Sequence, residues 1–203
     1  MAGGTPNVKH LWIQDPSGVG NPALVSEAVP EYPGSVGKVG NLKEATGLRT
    51  KVLQYVSRAA TDTTVAAAAG ALAYCYATSG QDNFIVCADQ TLALGGSTAP
   101  IPAGVFLGTL PSAGSYGYVQ VSGTAALLQG GVVAQDVVAG EAIYPAIADA
   151  DGKVTIPTTG TDAATVVVEL LVRKRPVVGY ALNAQTDSTV SLPCLLNIVH
   201  NGW

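Results

Sequence analysis

Between Thr63 and Gln135 the chain has no Lys, Arg or His, and its ionisable carboxylates there are Asp82 and Asp89. Few folds suit such a stretch, because a soluble chain normally keeps charge on every exposed face. The whole chain shares the bias: of its 203 residues 12% are charged and 48% hydrophobic, where an ordinary soluble domain carries about 25% charged residues. A membrane span does not account for it. The longest uncharged apolar run, Val65 to Ala77, is rich in Ala and Gly and shorter than the roughly 20 residues a spanning helix needs. The remaining explanation is that partner subunits cover much of the surface, so that less of it has to carry charge.

Charge is also unevenly placed. Residues 1 to 60 hold six basic and four acidic side chains, and residues 61 to 203 hold four basic and ten acidic ones. A nucleic-acid binder shows a basic body with interleaved aromatics, so direct contact with DNA or RNA is not expected. The start, Met1-Ala2-Gly3-Gly4-Thr5-Pro6, has neither a basic n-region nor an apolar h-region, which reads as synthesis and assembly in a cytoplasm.

The first 47 residues contain eight glycines and five of the twelve prolines, at Pro6, Pro16, Pro22, Pro30 and Pro33. Such a segment cannot form a long helix or a central strand. It still carries Trp12, Leu24, Val25 and Tyr32, so residues 1–47 read as an extended arm that orders against a partner. Its basic residues Lys38 and Lys43, with Arg49, Lys51 and Arg58 just beyond, join Trp12, Leu24 and Tyr32 as candidate partner contacts. From Leu48 the character changes, and Arg49 to Arg58 reads as a strand with partial alternation.

The body carries an internal repeat. Ala69-Gly70-x-x-x-Tyr74 matches Ala139-Gly140-x-x-x-Tyr144 at an offset of 70 residues. Downstream, Phe106-Leu107-Gly108 leads to Tyr118-Val119-Gln120-Val121, as Val177-Val178-Gly179 leads to Thr189-Val190-Ser191-Leu192, at an offset of 71. Gly70, Tyr74, Gly108, Gly140, Tyr144 and Gly179 serve as landmarks of a duplicated module. The division is 48–130, copy one with its leading strand, and 131–203, copy two. Each copy reads as a strand entering at the Gly, a polar turn, a returning strand, a loop and two more strands. The turns fall at Ser79 to Asn83 and at Asp149-Ala150-Asp151-Gly152, where Asp-Gly is a hairpin signal. Thr165 to Val172 is β-branched and continuous enough to read as a strand buried on both faces. The expected fold class is all-β: a tandem-duplicated small β-barrel or sandwich module preceded by an extended arm, with very little helix.

No motif carries catalysis. The two histidines, His10 and His200, sit in no nucleophile system, and Gly34-Ser35-Val36-Gly37-Lys38-Val39-Gly40 fails as a phosphate loop, because Tyr32 and Val39 stand where Gly and Ser or Thr are required; it reads as a turn in the arm. Asp149, Asp151 and Asp162 lack the converging oxygens and closing Glu of a calcium loop. Lys153 stands at a hairpin tip after a Val-x-x-Gly-Glu strand, as the lysines of lipoyl and biotinyl carrier domains do, but Asp151-Gly152-Lys153-Val154 lacks the flanking residues those domains use. Cys75, Cys87 and Cys194 contain no Cys-x-x-Cys pair and read as small reduced core residues; a cross-strand bond between Cys75 and Cys87 would need a favourable register. Arg173-Lys174-Arg175 is the dense basic run and a possible contact for an acidic partner or an anion. No cofactor and no metal are expected.

Val137 to Ala146, Asp151-Gly152-Lys153-Val154 and Val177 to Leu182 together resemble the head-decoration, or capsid cement, proteins of tailed bacteriophages. The similarity covers roughly residues 115 to 199. It implies a non-enzymatic virion protein that binds the outside of a phage head and locks neighbouring major capsid subunits against internal pressure. It also implies self-association, as a homotrimer in preference to a homodimer, and assembly in the host cytoplasm. Low charge and an extended arm fit that role independently. Trp203 reads as part of a subunit interface or as a cap on the core. The alternative of a different class is a tail, baseplate or adhesin-type module recognising a host glycan.

Overall fold

A computed structural model describes residues 39–43, 50–63, 67–77, 85–110, 113–128, 136–147, 151–157, 163–185 and 191–198. The chain is nearly all-β, as the turn spacing predicts. Its first half closes into a five-stranded barrel built from β2 (Thr50–Arg58), β3 (Leu72–Cys75), β4 (Ile85–Cys87), β5 (Pro102–Phe106) and β6 (Tyr116–Leu128). Closure comes from β2, which pairs in parallel with β4 and antiparallel with β6. A further strand, β1 (Val39–Lys43), adds to the outside of β2 in antiparallel register. This edge strand lies within the segment read as an arm, and Val39 and Gly40, read as part of a turn, belong to it.

Few strands give a barrel a small radius, so its interior admits only small side chains with a few larger plugs. The interior holds Ala67, Ala71, Ala73, Ala88 and Ala103 around Val56, Val86, Phe106 and Val119. The Ala-rich, charge-poor sequence is therefore what a narrow barrel requires. Gly104 shows how tight the fit is, since a Cβ there would stand 2.7 Å from the Val119 Cβ.

Among the described residues the second half does not close. Its strands β7 (Ala142–Pro145), β8 (Val154–Thr155), β9 (Gly179–Ala181) and β10 (Ser191–Asn197) continue the same sheet in the order β6-β10-β9-β7-β8. The joint is β6, a strand of 13 residues: its first part pairs with β2 and its last part, Ser122 to Leu128, with β10. Through this joint the inner face of the second sheet, with Ile143, Ala181, Leu192, Cys194 and Leu196, packs on the outside of the barrel, where Leu72, Tyr74, Cys87 and Val105 form the other side of one core.

The two halves share a backbone bonding pattern. Gly70 donates its N–H to the Phe106 carbonyl at 2.8 Å, and Gly140 donates to the Ala181 carbonyl at 2.8 Å. Phe106 donates back to Ala71, and Ala181 to Glu141, each at 2.9 Å. Both glycines need their lack of a Cβ, with φ of +82° and +88°. Tyr74 pairs with Cys87 as Tyr144 pairs with Thr155, and Ala73 faces Gly104 as Ile143 faces Gly179. This last match corrects one landmark: the counterpart of Gly179 is Gly104, not Gly108, which lies beyond the end of β5. The hairpin read at Asp151-Gly152 joins β7 to β8, with Gly152 at φ +69°.

A second correction concerns Thr165 to Val172. This segment is not a strand but most of a helix, α1 (Ala163–Arg173). Inside the sheet there is no place for it, because β9 is flanked by β7 and β10, and β7 by β8 and β9; the open edge beside it is β8, a strand of two residues. A β-branched run denied sheet neighbours can satisfy its backbone locally as a helix, at a cost of some tenths of a kcal/mol per residue. Among its described side chains Val172 is buried, while Val167, Leu170 and Leu171 are exposed.

Candidate interaction surface

The charged and polar residues inside the body are structural. Arg58 lies at the end of β2 with its side chain inside the protein, where Nε meets Asp62 Oδ2 at 3.0 Å and Nη1 donates to the Leu110 carbonyl at 2.7 Å. Asp62 Oδ2 also accepts the Ala88 N–H at 2.7 Å. Arg58 therefore holds the barrel together and is unavailable as the partner contact expected of it.

Arg175 behaves in the same way between the halves. Its guanidinium donates to Gln90 Oε1 at 3.2 Å, to the carbonyls of Pro145 and Ala146, and to the carbonyl of Ser97. Gln90 in turn donates to the Tyr74 hydroxyl at 3.1 Å and to the Ala146 carbonyl at 3.0 Å, and its backbone N–H reaches Asp151 Oδ1 at 2.8 Å. Oxygens of both halves thus converge on two buried side chains. Burial lowers the guanidinium pKa and raises that of the Tyr74 phenol far above its ordinary value. The basic run is consequently split: Arg173 and Lys174 are exposed, and Arg175 is buried.

Among the described residues no group of three His, Cys, Asp or Glu side chains is placed to hold a metal ion. Asp151 serves the Gln90 N–H, Lys153 is exposed, and Asp149 and Asp162 lie outside the described residues. All three cysteines are free and buried. Burial pushes the Cys75 thiol up to about 11 and the Cys194 thiol up to about 12, and raises Cys87 further. Thiols so placed are protonated and unreactive at neutral pH. Among the described residues no helix is long and apolar enough to cross a membrane.

Of the remaining candidate contacts, Trp12, Leu24, Tyr32, Lys38 and Arg49 lie outside the described residues, as does Trp203. Lys43 ends β1, and Lys51 is half-buried on β2. The feature that sequence reading missed is apolar. Val138 is 61% exposed, Val167 and Leu170 on α1 are 55% and 57%, and Tyr180 and Leu195 are 43% and 46%. Tyr180 and Leu195 are direct cross-strand partners on β9 and β10. The signal for Leu195 lay in β10 itself: Leu192, Cys194 and Leu196 alternate inward, which leaves Leu195 as a large apolar residue out of phase.

No protein-family model matches the chain, and comparison with curated proteins returns no match. Among solved structures, the N base of the head fiber gp8.5 of bacteriophage phi29 aligns over 74% of this chain and 99% of that chain, with a TM-score of 0.39 and 13% sequence identity. A likeness at that level does not establish a common fold, and the role of this chain has to be argued from its own residues.

Proposed function

We propose that this chain is a non-enzymatic structural protein of a tailed-phage virion, bound to the outer surface of the head, where it cements neighbouring major capsid subunits. The observation that carries the reading is the large apolar side chains left on the surface of a body with very little charge, with Val138, Val167 and Leu170 each more than half exposed. Large apolar side chains left exposed on a body with little charge to keep it apart from others favour cover by a partner. The resemblance of Val137 to Ala146, Asp151 to Val154 and Val177 to Leu182 to capsid cement proteins supplies the kind of partner. Polar groups that could have suggested catalysis, at Arg58, Gln90 and Arg175, are engaged in holding strands together.

In this reading the β body is the knob on the capsid surface and the arm ahead of β1 supplies further contacts to capsid subunits. Several weak contacts to different subunits act together, because release of one leaves the others holding it at high local concentration. Bound across subunit boundaries, the protein opposes their separation when packaged DNA presses outward.

Co-sedimentation with purified heads of the phage that encodes the chain tests this, comparing the full chain with a version lacking residues 1–38. That deletion leaves β1 in place against β2. Saturable binding at a fixed number of copies per head, weakened by the deletion, supports the proposal. A full chain that stays in the supernatant at micromolar concentration removes it and favours a glycan-binding module.

A further inference from the structure

The matched backbone bonds of the two halves pair residues of known burial. Leu72 faces Val105 in the first half as Ala142 faces Tyr180 in the second, and Val105 faces Gln120 as Tyr180 faces Leu195. On the barrel this outward face is core: Leu72 is 0% exposed, Tyr74 0% and Val105 2%. It is core because the second sheet lies on it. On the second sheet the same face is left open by the described residues at Tyr180 and Leu195, which are 43% and 46% exposed.

We infer that the outward face of β7, β9 and β10, centred on Tyr180 and Leu195, is covered by a second copy of this chain. In the first half, what covers the corresponding face is a sheet of this same chain, so the surface type is one this sequence already buries against itself. The strands that build the face, β7, β9, β10 and the Ser122 to Leu128 part of β6, contain no Lys, Arg, Asp or Glu. Two such faces therefore meet without like-charge repulsion, while a strongly acidic or basic partner finds no counter-charge on these strands. A Tyr beside a Leu supplies the rigid aromatic and aliphatic anchors found at the centre of protein interfaces.

The inference gives self-association a surface, and heads play no part in its test, so it stands or falls separately from capsid binding. Light scattering on the purified full chain reads the mass against the 20.5 kDa of one copy. The expected result is a defined multiple for the wild type and single-copy mass for Tyr180→Glu/Leu195→Glu. Leu94→Glu, which changes an exposed apolar residue of the first half, should keep the wild-type mass. Leu195→Thr, which preserves strand propensity, guards against misfolding of the double variant and should raise the dissociation constant at least tenfold with an unchanged circular dichroism spectrum. A wild-type chain of single-copy mass at micromolar concentration overturns the inference. So does a folded Leu195→Thr variant that associates as tightly as the wild type.

Discussion

Cys75 and Cys87 lie on directly paired strands, yet their thiols leave opposite faces of the sheet. Tyr74 stands opposite Cys87, and Cys75 opposite Val86. A shift of one residue exchanges the faces of a strand, so Cys75 points into the barrel interior while Cys87 joins the core between barrel and second sheet. The register that would have allowed a cross-strand bond is off by one. Air or diamide oxidation of the native protein should therefore leave mobility on a non-reducing gel unchanged, and a thiol reagent at pH 8 should label the cysteines only after denaturation. Rapid labelling of native protein would contradict the burial described here.

The same thiols set a limit at alkaline pH. Cys75 and Cys194 are pushed up from an ordinary value of about 9 to about 11 and about 12. Above pH 9 the unfolded chain loses thiol protons that the folded chain keeps, so the unfolded state holds fewer protons and stability falls as pH rises. Urea unfolding should give a midpoint that is flat with respect to these groups below pH 9 and declines between about pH 9 and 11. Replacing Cys75 with Ala should reduce that decline.

Arg175 joins the halves through its bonds to Gln90, Ser97, Pro145 and Ala146. Arg175→Met keeps most of the stem but leaves several buried oxygens short of a donor, with an expected loss of about 3 kcal/mol in chemical denaturation. Arg175→Lys should recover only part of it, because a single ammonium cannot span the same oxygens. A variant as stable as the wild type would show that the buried guanidinium is not what joins the halves.

Two glycines should respond to alanine for different reasons. At Gly179 a Cβ would run into the Leu195 carbonyl, whereas at Gly140 it would meet open space but sit at φ +88°. Gly179→Ala should thus cost about 2 kcal/mol through overpacking between β9 and β10, and Gly140→Ala nearer 1 kcal/mol through backbone strain alone. Thermal unfolding of both variants checks the order.

Much of this architecture is legible locally. The left-handed glycines at Gly70 and Gly140 and the Asp151-Gly152 hairpin stand in short motifs whose conformation depends on neighbouring residues. What was not legible depends on distant ones. Arg58 and Arg175 read as surface cations because part of what buries them is remote: Arg58 has Asp62 four residues on but also the Leu110 carbonyl, and Arg175 has the carbonyls of Ser97 and Ala146. The run from Thr165 to Val172 suits a strand by composition, and only the full sheet order shows that β7 and β9 are taken on both sides and that the two-residue β8 is the edge left beside it. Local signals for the helix were present in Asp162 before Ala163-Ala164 and in Arg173-Lys174 at the other end, the positions that favour a helix start and stop. Gly108 was matched by spacing alone, and it was the hydrogen-bond register of β5 and β9 that identified Gly104.

Whether binding strengthens a phage head is tested most directly by heat-induced DNA release from heads stripped of surface proteins. Dye fluorescence would be followed during heating, with and without a saturating amount of the full chain. Release should shift to higher temperature as copies per head approach saturation, with a smaller shift when residues 1–38 are removed. Release at the same temperature from heads shown to carry the protein would contradict the cementing role.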